Sequence, residues 1–76
     1  MSNTFSGKII IKILEKHFGF SYVSQKGSHI KLTKKVGKDT IVTIVPNHKE
    51  IQSGTLAGIL SLACVDKKEF LKVAKR

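Results

Sequence analysis

The chain has 76 residues, and 14 Lys and Arg against five Asp and Glu give it a formal net charge of +9. This length allows one small core and leaves little room for an enclosed pocket, so we expect a single domain over residues 1–76 that acts through its surface. A hydrophobic content of 41% argues against disorder. The positive charge favours a polyanionic partner, which leaves nucleic acid, an anionic membrane surface or an acidic protein.

The chain shows no sign of membrane insertion or export. No apolar run approaches the roughly 20 residues that a spanning helix needs, so no membrane partner is expected. The start of the chain, Met1-Ser2-Asn3-Thr4, lacks the layout of a signal peptide, which favours the cytoplasm. The single Cys64 cannot form an internal disulfide, and its position among Leu60, Ala63 and Val65 predicts a small buried residue.

The first predicted element is a helix that starts after Ser6. Ile10, Ile13 and Leu14 recur at helical spacing, and Gly19 is a typical helix stop. The opposite side of this helix carries Lys8, Lys12 and Lys16, which form either a solvated face or a stripe facing phosphate.

Three strands are predicted next, from Phe20 to Gln25, from His29 to Lys35 and from Thr40 to Val45. They are rich in aromatic and β-branched residues. Turns at Lys26-Gly27-Ser28 and Val36-Gly37-Lys38-Asp39 separate them, and Pro46 ends the third. The pattern predicts a three-stranded antiparallel meander.

Two further helices complete the predicted fold. Ser53 and Gly54 open a helix whose apolar stripe consists of Leu56, Ile59, Leu60 and Ala63. Asp66 and Glu69 have the spacing of a capping box for a short last helix. The order of a helix, three strands and a helix, with this short C-terminal helix, predicts a two-layer α+β domain in which the helices cover one face of the sheet.

The triplet Gly27-Ser28-His29 is the strongest candidate for chemistry. Strand alternation directs His29, Lys31 and Thr33 to the face opposite Ile30 and Leu32, so the histidine is expected to be exposed among cations. Histidine both accepts and donates protons near neutral pH, which suits the cleavage of RNA phosphodiesters. Taken alone, a histidine in this position is more often a surface strand residue without function.

An ordered set of motifs resembles the HicA family, the small toxins of bacterial HicA/HicB toxin–antitoxin pairs. The set comprises Gly7-Lys8, Ile13-Leu14-Glu15, Phe18-Gly19-Phe20, Gly27-Ser28-His29, Val45-Pro46-Asn47-His48 and Ser53-Gly54-Thr55-Leu56 with Ile59-Leu60. The resemblance implies a double-stranded-RNA-binding-domain-like fold, ribosome-independent mRNA cleavage, and silencing by a HicB-type antitoxin. It also places the catalytic histidine of the family on His29.

These expectations define a candidate site. The predicted catalytic residue is His29, and the predicted RNA-binding residues are Lys8, Lys26, Gly27, Ser28, Lys31, Lys34 and Lys35. No cofactor is expected, and cleavage should be independent of metal, since the scattered His, Cys and acidic residues have no metal-ligand spacing. The antitoxin is expected to cover the second strand and His29.

Three points of this interpretation stay open. Ala57 and Gly58 stand where family members often carry Lys or Arg, so an RNA contact by that helix is in doubt. His48 matches a histidine common in the family and is assigned to shaping its loop or touching RNA, whereas His17 is assigned a structural role. The alternative functions are an RNA-binding domain without catalysis and a basic module that only docks an acidic partner.

Overall fold

The computed structural model describes residues 4–74, so the first three residues considered for targeting lie outside it. The elements follow in the order α1 (Gly7–Phe18), β1 (Ser21–Lys26), β2 (His29–Val36), β3 (Asp39–Pro46), α2 (Ser53–Ala63) and α3 (Lys67–Ala74). The strands form one antiparallel sheet in the order β1-β2-β3. This order confirms the predicted two-layer α+β class, and it is consistent with a double-stranded-RNA-binding-domain-like arrangement.

Helix α1 begins and ends where its sequence predicts. The Ser6 hydroxyl accepts a hydrogen bond from the Ile9 amide at 3.1 Å, which satisfies one of the free amides of the first turn. The helix ends at Gly19, which has a φ of +77°. Ile10 and Leu14 are fully buried against the sheet and the other helices.

The sheet has one face toward the helices and one face toward solvent. Along β2, Ile30 and Leu32 are buried while His29 and Lys31 are exposed, as the alternation predicts. Strand β1 begins at Ser21 rather than at Phe20, because the Phe20 amide donates to the Leu14 carbonyl at 3.1 Å and so belongs to the end of α1. A bulge at Val23, between Tyr22 and Ser24, then shifts the pairing of β1 with β2.

The helix-facing side holds the core. All four residues of the predicted α2 stripe, Leu56, Ile59, Leu60 and Ala63, are buried. The buried Thr43 hydroxyl of β3 donates a hydrogen bond to the Ile59 carbonyl at 2.8 Å, which joins the sheet to α2. Asp66 caps α3 by accepting from the Lys68 amide at 3.2 Å, and the fully buried Phe70 packs edge to face against Phe5.

The prediction that Cys64 is buried is wrong. Helix α2 ends one residue earlier, at Ala63, and Cys64 takes a left-handed conformation with a φ of +56°. Its amide donates to the Ser61 carbonyl at 3.2 Å and so closes the last turn. Because the chain leaves the helical path at this residue, Ala63 fills the buried position and the thiol is exposed.

Within residues 4–74, no helix combines the length and apolar character needed to cross a membrane.

Candidate functional site

His29 lies at one end of the sheet, on the face that none of the helices within residues 4–74 covers. It is the first residue of β2 and pairs with Lys26 on β1 and Pro46 on β3. Directly opposed residues of antiparallel strands point to the same face, so Lys26 and His29 project side by side into solvent. We call the edge formed by Lys26, His29 and Pro46 the site end of the sheet.

The solvent-facing side, which we call the open face, combines cations with apolar residues. Behind the site end, three rows of paired residues lie on this face. The first row is Ser24, Lys31 and Ile44, the second is Ser21, Thr33 and Val42, and the third is Lys35 and Thr40. Strand rise puts Lys31 about 7 Å from His29 and Lys35 about 20 Å away. Val42 and Ile44 are each 37% exposed, so this face carries apolar contact area beside its lysines.

The turn that precedes His29 is fixed by two hydrogen bonds. Gly27 has a φ of +60°, as its place in a tight hairpin predicts. The Gln25 side-chain amide donates to the Gly27 carbonyl at 2.9 Å, and the Asn47 backbone amide donates to the Ser28 carbonyl at 2.6 Å. The second bond ties the hairpin to the loop after β3, so the backbone on the N-terminal side of His29 is held by two elements.

The start of α1 packs against that same loop. The Gly7 amide donates to the His48 carbonyl at 2.8 Å. A Cβ atom at Gly7 would lie 2.1 Å from the Pro46 carbonyl oxygen, so only glycine permits this approach. Lys8, the second residue of the helix, is thereby brought to the site end, where it is exposed.

An open recess lies between α1 and the loop. It has a volume of about 280 Å³ and is lined by Ser6, Lys8, Asn47, His48 and Lys49. We refer to these five residues as the recess.

The structure brings together most, but not all, of the predicted site residues. Lys26, Gly27, Ser28, His29 and Lys31 are adjacent at or next to the site end, and Lys8 reaches it from α1. Lys35 shares the open face but lies at its far end.

Lys34 is not brought to this surface. It points to the helix-facing side, where its ammonium group lies 5.9 Å from the centroid of the Phe20 ring. The same alternation that exposes His29 explains this, since Lys34 shares the parity of Ile30 and Leu32. Its half-buried stem and its cation–π contact make it a packing residue of the core margin.

The sequence reasoning missed Asn47 and Lys49. A signal for both was available, because an antiparallel β2–β3 hairpin necessarily places the end of β3 beside the start of β2. The residues directly after Pro46 therefore had to lie near His29. Among the described residues, no three His, Cys, Asp or Glu side chains are grouped so that they could hold a metal ion.

The fold and the exposed, lysine-flanked histidine define a small basic α+β domain of the double-stranded-RNA-binding-domain-like type. A family model described as the HicA toxin of bacterial toxin–antitoxin systems matches residues 7–64, which is more than half of the chain. The chain belongs to the HicA toxin family. It is thus the toxin of a toxin–antitoxin system, and an antitoxin is its implied partner. A search of curated proteins found no match.

Proposed function

We propose that this toxin is a ribosome-independent endoribonuclease that cleaves mRNA in the cytoplasm. His29 is its acid–base residue, and the single domain of residues 1–76 is the catalytic unit. The observation that carries the proposal is the placement of His29, which is exposed at a fixed hairpin beside Lys26 and two residues from Lys31. Family membership supports the same activity.

The proposed reaction uses the nucleophile that RNA itself contains. The 2′-hydroxyl attacks the neighbouring phosphorus, the bond to the 5′-oxygen breaks, and the products are a 2′,3′-cyclic phosphate and a 5′-hydroxyl. One proton leaves the 2′-oxygen and another reaches the leaving 5′-oxygen, and His29 moves one of the two. No metal or cofactor takes part in this scheme.

The charges around His29 suit the transition state. Two negative charges develop on the phosphorane, and Lys26 and Lys31 flank the histidine on the open face. The exposed Gly27 and the half-buried Ser28 place backbone close to where the phosphate would lie. Positioned proton transfer contributes about 10²–10⁴-fold to a rate, so the expected enzyme is a modest nuclease, which suffices for a toxin.

The RNA contacts are assigned to the open face and to α1 rather than to α2. The segment Ser53–Ala63 contains no charged residue, and Ala57 and Gly58 are exposed on it. Lys8, Lys26, Lys31 and Lys35 are all exposed and carry the proposed binding, whereas the packing of Lys34 removes it from this set. Single-stranded mRNA is therefore a better fit than tight recognition of a duplex by a basic helix.

The test compares three purified proteins on a long unstructured mRNA. His29→Ala should bind the RNA as the wild type does but cut it at least about 100-fold more slowly. His17→Ala is the matched control, because His17 is an exposed histidine in the last turn of α1 and should leave the cleavage rate unchanged. Replacing the RNA by its 2′-deoxy analogue should also abolish cutting by the wild type.

Two outcomes would contradict the proposal. Equal cleavage by His29→Ala would remove the histidine from the mechanism. RNA binding without cleavage by any of the three proteins would instead support the alternative, an RNA-binding domain without catalysis.

We propose further that the antitoxin is of the HicB type and covers the open face, including His29. Ile44 and Val42 offer apolar contact area, and the surrounding lysines would attract an acidic partner.

Ile44→Glu should weaken antitoxin binding more than tenfold, measured by calorimetry. Leu62→Glu, at a 58% exposed position on α2, is the control and should not weaken it. Equal effects of the two substitutions would place the antitoxin elsewhere.

A further inference from the structure

The recess beside the site end has the character of an anion site. Three of its five lining residues, Lys8, His48 and Lys49, carry basic side chains, and none of the five is acidic. The nearest carboxylate along the loop is that of Glu50, which accepts a hydrogen bond from the Thr4 hydroxyl at 3.2 Å. The recess therefore concentrates positive potential in a concave space, which strengthens its attraction for anions.

The backbone at the start of α1 adds to this character. Three of the first four amides of the helix donate hydrogen bonds. The Ile9 amide donates to the Ser6 hydroxyl, the Ile10 amide donates to the Ser6 carbonyl, and the Gly7 amide donates to the His48 carbonyl. Within residues 4–74, this leaves the Lys8 amide as the one of the four without a protein acceptor. It belongs to Lys8, which also lines the recess, and the positive end of the helix dipole lies there as well.

The size of the recess and its distance from His29 suit a phosphate of an RNA backbone. Its 280 Å³ lies just below the range of about 300–1,000 Å³ typical of sites for drug-sized ligands, so it suits a phosphate group with its neighbouring sugar atoms. Pro46 pairs with His29, and Asn47 is the next residue, so the rim of the recess starts within about 10 Å of the histidine backbone. One RNA strand can therefore reach both places.

We propose that the recess is a phosphate subsite that holds the RNA backbone next to the cleaved linkage, with Lys8 and Lys49 as its cations. This inference rests on the proposed RNA cleavage. It assigns to the loop after β3 a binding role in addition to its structural role of fixing the Ser28 carbonyl. The subsite would fix the direction of the RNA strand across His29.

The experiment separates the subsite from the catalytic step. The probe is a fluorescein-labelled single-stranded oligoribonucleotide, and the protein carries His29→Ala so that the RNA stays intact. Into this background we would introduce Lys8→Gln with Lys49→Gln. The matched control is Lys38→Gln with Lys68→Gln, which removes the same charge from two other exposed positions, one in the β2–β3 turn and one on α3. Thermal unfolding checks that both double variants fold alike.

The subsite predicts a loss that the net charge does not explain. The Lys8/Lys49 variant should bind about tenfold more weakly than the control, since it loses charged hydrogen bonds to one phosphate. The slope of log affinity against log salt should become shallower by about 0.7 relative to the control. In the His29→Ala protein, the amide resonances of Lys8 and Lys49 should shift on adding the oligonucleotide.

Equal affinity and equal salt slope in the two double variants would overturn the subsite and leave cleavage by His29 standing. A Lys8/Lys49 variant that loses antitoxin binding but keeps RNA binding would also overturn it, and would make the recess a protein-docking surface. Failure of the oligonucleotide to bind to the His29→Ala protein, together with no cleavage by the wild type, would remove both the subsite and the proposed function.

Discussion

The two hairpin turns of the sheet use the same backbone device in different surroundings. Gly27 and Gly37 have φ values of +60° and +62°, and each begins a two-residue turn between neighbouring strands. A Cβ atom at either glycine would meet no heavy atom of the described residues within 4 Å, apart from the neighbours along the chain. The first turn is nevertheless bonded to the loop after β3 through Ser28 and Asn47, whereas the bonds found for the described residues show no such tie for the second.

The contacts behind each turn distinguish the candidate site from an ordinary turn. A glycine followed by a polar residue occurs in both hairpins, so the local sequence does not separate them. The first turn is set apart by what packs behind it, namely the loop after β3 and the start of α1 held against that loop by Gly7. Anchoring of this kind holds a catalytic group in place more firmly than a free hairpin would.

Disrupting the contact of Gly7 with the loop after β3 should change stability and cleavage the most. Gly7→Ala would push a methyl group into the Pro46 carbonyl and against Asn47, and we expect a loss of about 3 kcal/mol in unfolding free energy together with loss of cleavage. Denaturant unfolding and RNA cleavage by the still-folded protein would measure the two effects. The control is Gly58→Ala within α2, where a Cβ meets nothing, and it should stabilise by about 0.5–1 kcal/mol. Gly7→Ala that folds and cuts normally would show that the anchor is not needed.

A smaller effect distinguishes the two turns directly. Gly27→Ala and Gly37→Ala should each cost about 1 kcal/mol, because both force alanine into a left-handed conformation. Only Gly27→Ala should slow RNA cleavage, since only that turn positions His29. Measured at a temperature where both variants remain folded, equal rates would remove the functional distinction between the turns.

Substitutions of the two lysines of the open face should change RNA affinity only moderately. Lys31 lies about 7 Å from His29 and Lys35 about 20 Å away. Lys31→Gln should therefore lower RNA affinity about three- to tenfold, and Lys35→Gln less than about twofold, in fluorescence titrations at fixed salt. Equal losses would mean that the RNA runs along β2 toward the far end rather than across the site end.

Much of this architecture can be predicted from local sequence patterns. Ser6 and Gly19 bound the first helix because their side-chain oxygen and left-handed backbone satisfy its ends. The exposure of His29 follows from strand alternation, and so does the inward position of Lys34. Lys34 was nevertheless grouped with the neighbouring lysines as an RNA-binding residue.

Other features depend on contacts between distant parts of the chain. The burial of Cys64 was mispredicted because its apolar neighbours do not show that helix α2 ends at Ala63. The recess requires Gly7 to meet His48, a contact across 41 positions that no local pattern encodes. The bulge at Val23 likewise appears only in the pairing of β1 with β2.

The exposed thiol of Cys64 gives these experiments a convenient handle. It is the only cysteine of the chain, and it sits at the end of α2, whose 11 residues extend about 16 Å from the loop that supports the site. A maleimide dye or a nitroxide attached there would report on RNA or antitoxin capture while leaving every lysine and histidine unmodified. The same solvent access means that preparations need a reductant, since two molecules can otherwise become linked through this sulfur.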